Sequence, residues 1–400
     1  MPALFGTPFR PFFLFGLLYG LLAMALWVAT LLLPEGWPLV PMLVNTPLMP
    51  VFWHGHALVF GFCGAIGVGF LLTAAGNWMG KPLLTPGQTA VLLLLWLLGR
   101  IAMLSISLLP PWWACVADGL FPLAALLLLL WRVGESSNPW HRAVLVAFAL
   151  FAILHILSLP TALELIPTPW ASTGPKLGMA ALVLIAATLG GRIIPLFTVN
   201  WLKSSGTDSQ ADYTPLPWLE NSTLLATLLV VIGMILVGME NRWMGLLYLL
   251  TAALHLLRMA RWQGHRTLSA PIVWVMHVGY LTIPMGLFFL AMPFKLDVVR
   301  MITAFHIWTI GVGGLFLIGI VTRVALGHTG RPIQPHPWTV LAYGLLMLAL
   351  LVRSILPMLW QELLGPSYWL SAAIWCAAML LILLRYTPIL LSRRPDGKAG

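Results

Sequence analysis

Histidine is the residue type through which this sequence could do metal chemistry. The chain contains ten histidines, against three cysteines and eleven acidic residues. Imidazole binds copper and is the usual axial ligand of haem iron. Six of the histidines fall within or at the edge of long apolar segments, where an ionisable side chain is costly and is by default a functional candidate. These six are His54, His56, His155, His255, His277 and His306.

A histidine in an apolar segment can also be structural, hydrogen-bonded to a neighbouring helix. For a single histidine that interpretation is favoured, but six in one chain with so few carboxylates favour a metal or haem site. The cysteines Cys63, Cys115 and Cys376 are scattered and form no CxxC or CxxCH motif. This argues against covalent haem, iron–sulfur clusters and zinc ribbons, so the predicted centre depends on imidazoles.

The spacing of the histidines ranks them as ligands. A shift of 250 residues places His56 on His306, together with glycines and a basic residue–proline pair that follow each of them. We therefore predict a metal centre in the outer half of the bundle with His56 and His306 first, His54 second, and His155 and His277 as further candidates. His54 and His56 point about 200° apart on a regular helix, so they share one site only if the helix begins irregularly.

Two arginines inside apolar segments must also have partners. Arg100 could form an ion pair with Asp118 or hold a haem propionate, and the sequence leaves both open. Arg192 lies in a GGRIIP motif with no acid in its segment, which favours an anionic ligand such as a propionate. Both arginines are therefore candidate cofactor-binding residues.

The elements that position these residues follow from composition. Hydrophobic residues make up 60% of the 400 residues, charged residues only 8%, and the mean hydropathy is +0.96. Soluble domains carry about 25% charged residues, so a soluble fold is excluded. Apolar runs of about 20 residues recur about twelve times, each long enough to span a bilayer. The sequence predicts an all-α membrane bundle of about twelve transmembrane helices, one domain over residues 1–400 with a cytoplasmic linker at 203–217.

The charges predict an orientation rather than a nucleic-acid partner. With the N-terminus inside, fourteen Lys and Arg residues lie on the cytoplasmic side against five on the other, which predicts that both termini are cytoplasmic. The net charge of +10 is spread along the chain and forms no dense basic face, so nucleic-acid binding is not expected.

Five motifs carry a resemblance to a known family over nearly the whole chain. They are FRPFFLFG at 9–16, WHGHALVFGF at 53–62, GFLLTAAGNWMGKP at 69–82, GGRIIPLFT at 190–198 and TRVALGHTGRP at 322–332. In this order they resemble the NnrS family. The resemblance implies a multi-pass protein of the bacterial inner membrane that binds haem and copper and acts in the response to nitric oxide. The chain departs from the family pattern at Ala57, where Glu is usual, so that carboxylate has no role here.

The expected function follows from that resemblance and the histidines. We expect the protein to bind nitric oxide at a His-ligated centre and to reduce it, with non-covalent, b-type haem, copper and an electron donor that the sequence does not identify. The alternative is a non-enzymatic haem or copper sensor, store or transporter that protects against nitrosative stress. The sequence assigns no catalytic residue.

Overall fold

The architecture is all-helical in a computed structural model, which describes residues 3–33, 48–108, 110–168, 171–292 and 297–397. Within these ranges, 12 helices are long and apolar enough to cross a membrane. The predicted class, a multi-pass integral membrane protein built from helices, is therefore confirmed.

The twelve helices follow one another with short connections. They are α1 (Phe9–Leu32), α2 (Pro50–Trp78), α3 (Pro86–Leu104), α4 (Pro111–Val133), α5 (Pro139–Ala162), α6 (Gly174–Ser204), α7 (Pro217–Leu236), α8 (Arg242–Ala260), α9 (Pro271–Ala291), α10 (Met301–His328), α11 (Pro337–Leu359) and α12 (Gln361–Leu391).

Proline and capping residues determine where many of these helices begin. Seven of them start with proline in the first turn, where its fixed φ suits the helix and its missing N–H costs nothing. Thr85 and Gln88 form a capping box at the start of α3. Asn138 and Asn241 cap α5 and α8 by accepting from the backbone N–H two residues on.

The chain divides into two compact units, and the predicted centre concerns the first. Unit 1 comprises residues 1–178, 324–333 and 375–400. Within it, α1 packs against α2, α3 against α4, and α4 against α5. Arg10 at the start of α1 is buried and donates to the carbonyl oxygens of Leu390 and Ser392, so the start of α1 is tied to the end of α12.

Unit 2 comprises residues 179–323 and 334–374. Within it, α8 packs against both α7 and α9, and α9 packs against α10. Pro284 lies inside α9. In unit 2 these packed pairs are thus neighbours along the chain.

Helices α2 and α10, the two segments related by the 250-residue offset, share an interruption that the sequence did not predict. Each changes from α- to π-helix a short distance after its histidine, over Ala57–Cys63 in α2 and Thr309–Phe316 in α10. A left-handed glycine lies two residues beyond the end of each helix, Gly80 at φ 67° and Gly330 at φ 68°. Because π-helical segments often mark functional sites, both are places to look for chemistry.

Candidate metal centre

Four helices of unit 1 bring together one cluster of buried polar side chains. α2 supplies His56 directly before its π-helical segment, α4 supplies Asp118, α5 supplies His155 and α3 supplies Arg100. All four side chains are buried, with His56 completely inaccessible to solvent. Four ionisable groups are thus held where charge is expensive.

The two imidazoles meet one oxygen of the carboxylate. The Nε2 atoms of His56 and His155 each lie 3.2 Å from Oδ2 of Asp118. Arg100 forms an ion pair through Nη2 with the other oxygen, Oδ1. The sequence left two possible partners for Arg100, Asp118 and a haem propionate. In the structure its partner is Asp118. The arginine holds one carboxylate oxygen and leaves the second facing the histidines.

The arrangement of these side chains could hold a metal ion. Neither Nε2 approaches Oδ2 with good hydrogen-bond geometry, and Nδ1 of His56 has no hydrogen-bond partner among the described residues. The three ligand atoms all lie within 4.8 Å of one another. With metal–ligand bonds of about 2.1 Å, donors 3.2 Å apart subtend about 100° at the ion, between octahedral and tetrahedral values. The donor set therefore fits a single transition-metal ion.

Aromatic rings surround the histidines and keep water out. Phe60 stacks on His155 with ring centroids 4.5 Å apart and lies 5.0 Å from the ring of His56. Phe60 in turn fills the space over Gly178, where a Cβ atom would lie 2.2 Å from its ring. Because the surroundings are apolar, electrostatic interactions within the cluster are strong.

Haem does not fit between these two histidines. Two axial imidazoles on one iron, with bonds of about 2 Å, would lie on opposite sides of a porphyrin. An oxygen 3.2 Å from both nitrogens would then stand about 2.5 Å from the iron, inside the porphyrin ring. Asp118 thus occupies the place that the ring would need.

Gly61, in the π-helical segment, allows Arg100 to approach. A Cβ atom there would lie 2.4 Å from Cε1 of Tyr19 and 2.8 Å from Nη1 of Arg100. We expect Gly61→Ala to displace Arg100 from Asp118, to lower the metal content, and to destabilise the fold by about 1–3 kcal/mol through overpacking. Elemental analysis and thermal unfolding in detergent measure both effects.

Gly67, in the same helix, is the matched control for this substitution. A Cβ atom at Gly67 meets nothing within 4 Å, so Gly67→Ala should leave both the metal content and the unfolding temperature at or above wild type. Equal metal content in the two alanine variants would contradict the role assigned to Arg100.

The other predicted ligands lie elsewhere. His54 stacks on Trp27, with ring centroids 4.5 Å apart. His306 belongs to unit 2, where its Nδ1 donates to the carbonyl oxygen of Ile302 at 2.7 Å. Among the described residues, the cluster that could hold a metal ion consists of His56, Asp118 and His155 and includes neither His54 nor His306. Of the predicted histidines, the structure brings together His56 and His155.

Two further predicted cofactor-binding residues also lie in unit 2. The Nε2 of His277 donates to the hydroxyl of Thr198 at 2.8 Å. Arg192 is exposed on α6, and the preceding glycine Gly191 is packed by Arg258, whose Nη2 would lie 1.7 Å from an added Cβ. The space beside Gly191 is thus occupied by the side chain of Arg258.

His255 is part of a second buried network, confined to unit 2. Arg258 forms an ion pair with Glu220 and donates to the hydroxyl of Tyr280. That hydroxyl donates to Nδ1 of His255 at 2.8 Å, and the other ring nitrogen donates to Thr227 at 3.0 Å. Both ring nitrogens are satisfied, so this histidine has the structural role that the sequence left open.

Sequence reasoning missed Asp118 as a ligand and treated it only as a partner of Arg100. Its signal was its position: seven residues inside α4, it is the only carboxylate within a spanning helix of the described part of unit 1. An acid at that depth is by default functional.

The fold and the cluster define a class: a polytopic helical membrane protein with a buried His–Asp–His group suited to a metal ion. The chain matches the model of the NnrS protein family over residues 3–394 and belongs to that family. No curated protein matches the chain at a significant level. Membership associates the protein with metal binding and suggests a role in the nitric oxide response.

Proposed function

We propose that this protein binds a redox-active transition metal at His56, Asp118 and His155 and that nitric oxide binds to that metal. The observation that carries the proposal is the convergence of two imidazole Nε2 atoms on one carboxylate oxygen in a buried, apolar site. Three protein ligands leave a coordination position open, as catalytic metal sites do.

Copper is the ion we propose for the centre. Imidazole suits copper, and the cofactor set implied by the family resemblance includes it. Haem, the other implied cofactor, has no place between His56 and His155, so the proposed chemistry does not run through it. When bound, the metal supplies an electron-accepting site for nitric oxide.

The chain's own residues supply binding and orientation. His56 and His155 would hold the ion through Nε2 and Asp118 would hold it through Oδ2, while Arg100 fixes Asp118 through Oδ1. A charged partner of this kind orients a metal ligand, and its loss typically costs 10–100-fold in affinity. The rings of Phe52 and Phe60 pack against His56 and exclude water.

Reduction of nitric oxide is the activity proposed for the centre. Two molecules of nitric oxide, two electrons and two protons give one nitrous oxide and one water. The electrons must come from an external donor, and we place the protein in the bacterial inner membrane with both termini in the cytoplasm.

A non-catalytic sensor or store is the second candidate. Asp118 is the only carboxylate inside a helix of the described part of unit 1, and its charge is already paired with Arg100. A site with so few proton carriers favours binding of nitric oxide without turnover.

Purified protein exposed to nitric oxide tests the proposal and separates the two candidates. We expect about one metal ion per chain and a change in its optical or electron paramagnetic resonance spectrum on adding nitric oxide. Nitrous oxide, measured by gas chromatography with ascorbate and a mediator, should accumulate over many turnovers if the protein is a reductase. Binding without nitrous oxide identifies the sensor or store, and a wild-type protein without metal overturns the proposal.

A further inference from the structure

The charge of the metal centre is not balanced by the residues around it. With both histidines neutral, the carboxylate of Asp118 and the guanidinium of Arg100 cancel. A divalent ion would therefore leave a charge of +2 in a site where every one of these side chains is almost wholly buried. An uncompensated buried charge is expensive, so the centre needs a negative ligand.

Donors for such a ligand lie beside Asp118 and are unused. Nε and Nη1 of Arg100 and the hydroxyl of Tyr19 are buried and make no hydrogen bond of ordinary geometry to the described residues, although the hydroxyl lies close to the guanidinium of Arg100. Nη1 of Arg100 and Cε1 of Tyr19 both lie within 2.8 Å of the Cβ position of Gly61, so these two atoms are within about 5 Å of each other. Buried polar groups in folded proteins are rarely left unpaired, and several in one place indicate a ligand.

We propose that the centre binds a small inorganic anion, of the azide or nitrite class, at the open coordination position of the metal, with Tyr19 and Arg100 as hydrogen-bond donors. This inference rests on the metal site of the proposed function. It makes Arg100 a residue with two tasks, because Nη2 fixes Asp118 while Nη1 is available to the anion. Tyr19 becomes a binding residue, although it is not a metal ligand.

A purely structural role for Tyr19 predicts a different outcome. The guanidinium carbon of Arg100 lies 5.7 Å from the centroid of the Tyr19 ring, a cation–π contact that phenylalanine would preserve. Tyr19→Phe keeps the ring and removes the hydroxyl together with its interaction with Arg100. The copper content of the variant, which depends on Arg100 holding Asp118, must therefore be measured beside its azide affinity.

Azide binding to the copper(II)-loaded, full-length protein tests this inference. The azide-to-copper charge-transfer band gives an affinity, and elemental analysis of the same samples gives the copper content. We expect Tyr19→Phe to keep its copper and to bind azide at least about tenfold more weakly, because a hydrogen bond to a charged group is lost. Tyr248→Phe is the control, because the Tyr248 hydroxyl is in unit 2 and donates to the carbonyl of Met239.

The outcomes distinguish this inference from the proposed function. Full copper content with the same azide affinity in wild type and Tyr19→Phe overturns the anion site and leaves the metal site standing. A wild-type protein that binds no copper overturns both. Arg100→Lys, which keeps the charge but loses the planar fork, should also weaken azide binding. If both variants bind azide like wild type, the donors are not used.

Discussion

Replacing Asp118 with Asn is expected to remove the metal and to destabilise the protein. The amide keeps the size of the side chain but loses the charge that the ion and Arg100 share. Removing one partner of a buried ion pair leaves an uncompensated charge, which costs about 3–5 kcal/mol. We therefore expect Asp118→Asn to lose its metal in elemental analysis and to unfold at a markedly lower temperature in detergent.

A double variant separates ligation from stability. Asp118→Leu combined with Arg100→Met removes both charges, and replacing a buried ion pair by apolar groups of similar volume is often neutral or stabilising. We expect this variant to recover much of the lost unfolding temperature while remaining without metal. Glu135→Gln, outside the helices of unit 1, is the control and should match wild type in both measurements. Full metal content in Asp118→Asn would rule out the carboxylate as a ligand.

Single histidine substitutions give the second large effect. His56→Ala and His155→Ala each remove one of three ligands, and we expect metal affinity to fall at least a hundredfold, more than the loss of an outer partner costs. His54→Ala and His306→Ala should retain the metal, because neither residue belongs to the converging group. Elemental analysis after dialysis against a chelator measures all four.

This set of variants also discriminates between two metal centres. The sequence predicts a centre built from His54, His56 and His306, whereas the geometry of unit 1 supports His56, Asp118 and His155. Both centres include His56, so His56→Ala does not distinguish them. The metal contents of His155→Ala and His306→Ala show which centre binds the metal. Loss of metal in His306→Ala with retention in His155→Ala would favour the centre predicted from the sequence.

Helix number and class could be read from the sequence because they depend on quantities that the sequence contains. A span needs about 20 apolar residues, and the chain shows about twelve such runs. The structure describes the same number of candidate spans. Many helix starts also have a sequence signal that was not used as a prediction, because proline occupies the first turn in seven of the twelve.

The partners of His56 could not be predicted in the same way. In a soluble helix the apolar stripe shows which side faces the core, but lipid is as apolar as a membrane-protein interior, so that signal is weak. Whether Asp118 and His155 face His56 depends on how α4 and α5 rotate and pack. The 250-residue offset instead related His56 to His306, and a likeness between two sequence segments does not predict which side chains meet.

The π-helical segment is a second feature that sequence reasoning could not supply. It begins at Ala57, directly after His56, and shifts the register of the helix that carries Gly61 past Arg100 and Tyr19. A wider turn of this kind has no reliable sequence signature, although its association with functional sites is well established. The glycine was visible in the sequence, but the side chains that need its space were not.

X-ray absorption of the metal in the purified protein tests the central claim most directly. The account predicts one non-haem ion per chain whose ligands are two imidazole nitrogens and at least one oxygen, at about 2.0–2.2 Å. In His155→Ala the imidazole contribution should fall by half or the ion should be absent. A wild-type protein whose metal is haem iron alone, or whose copper is bound by sulfur, would contradict the account.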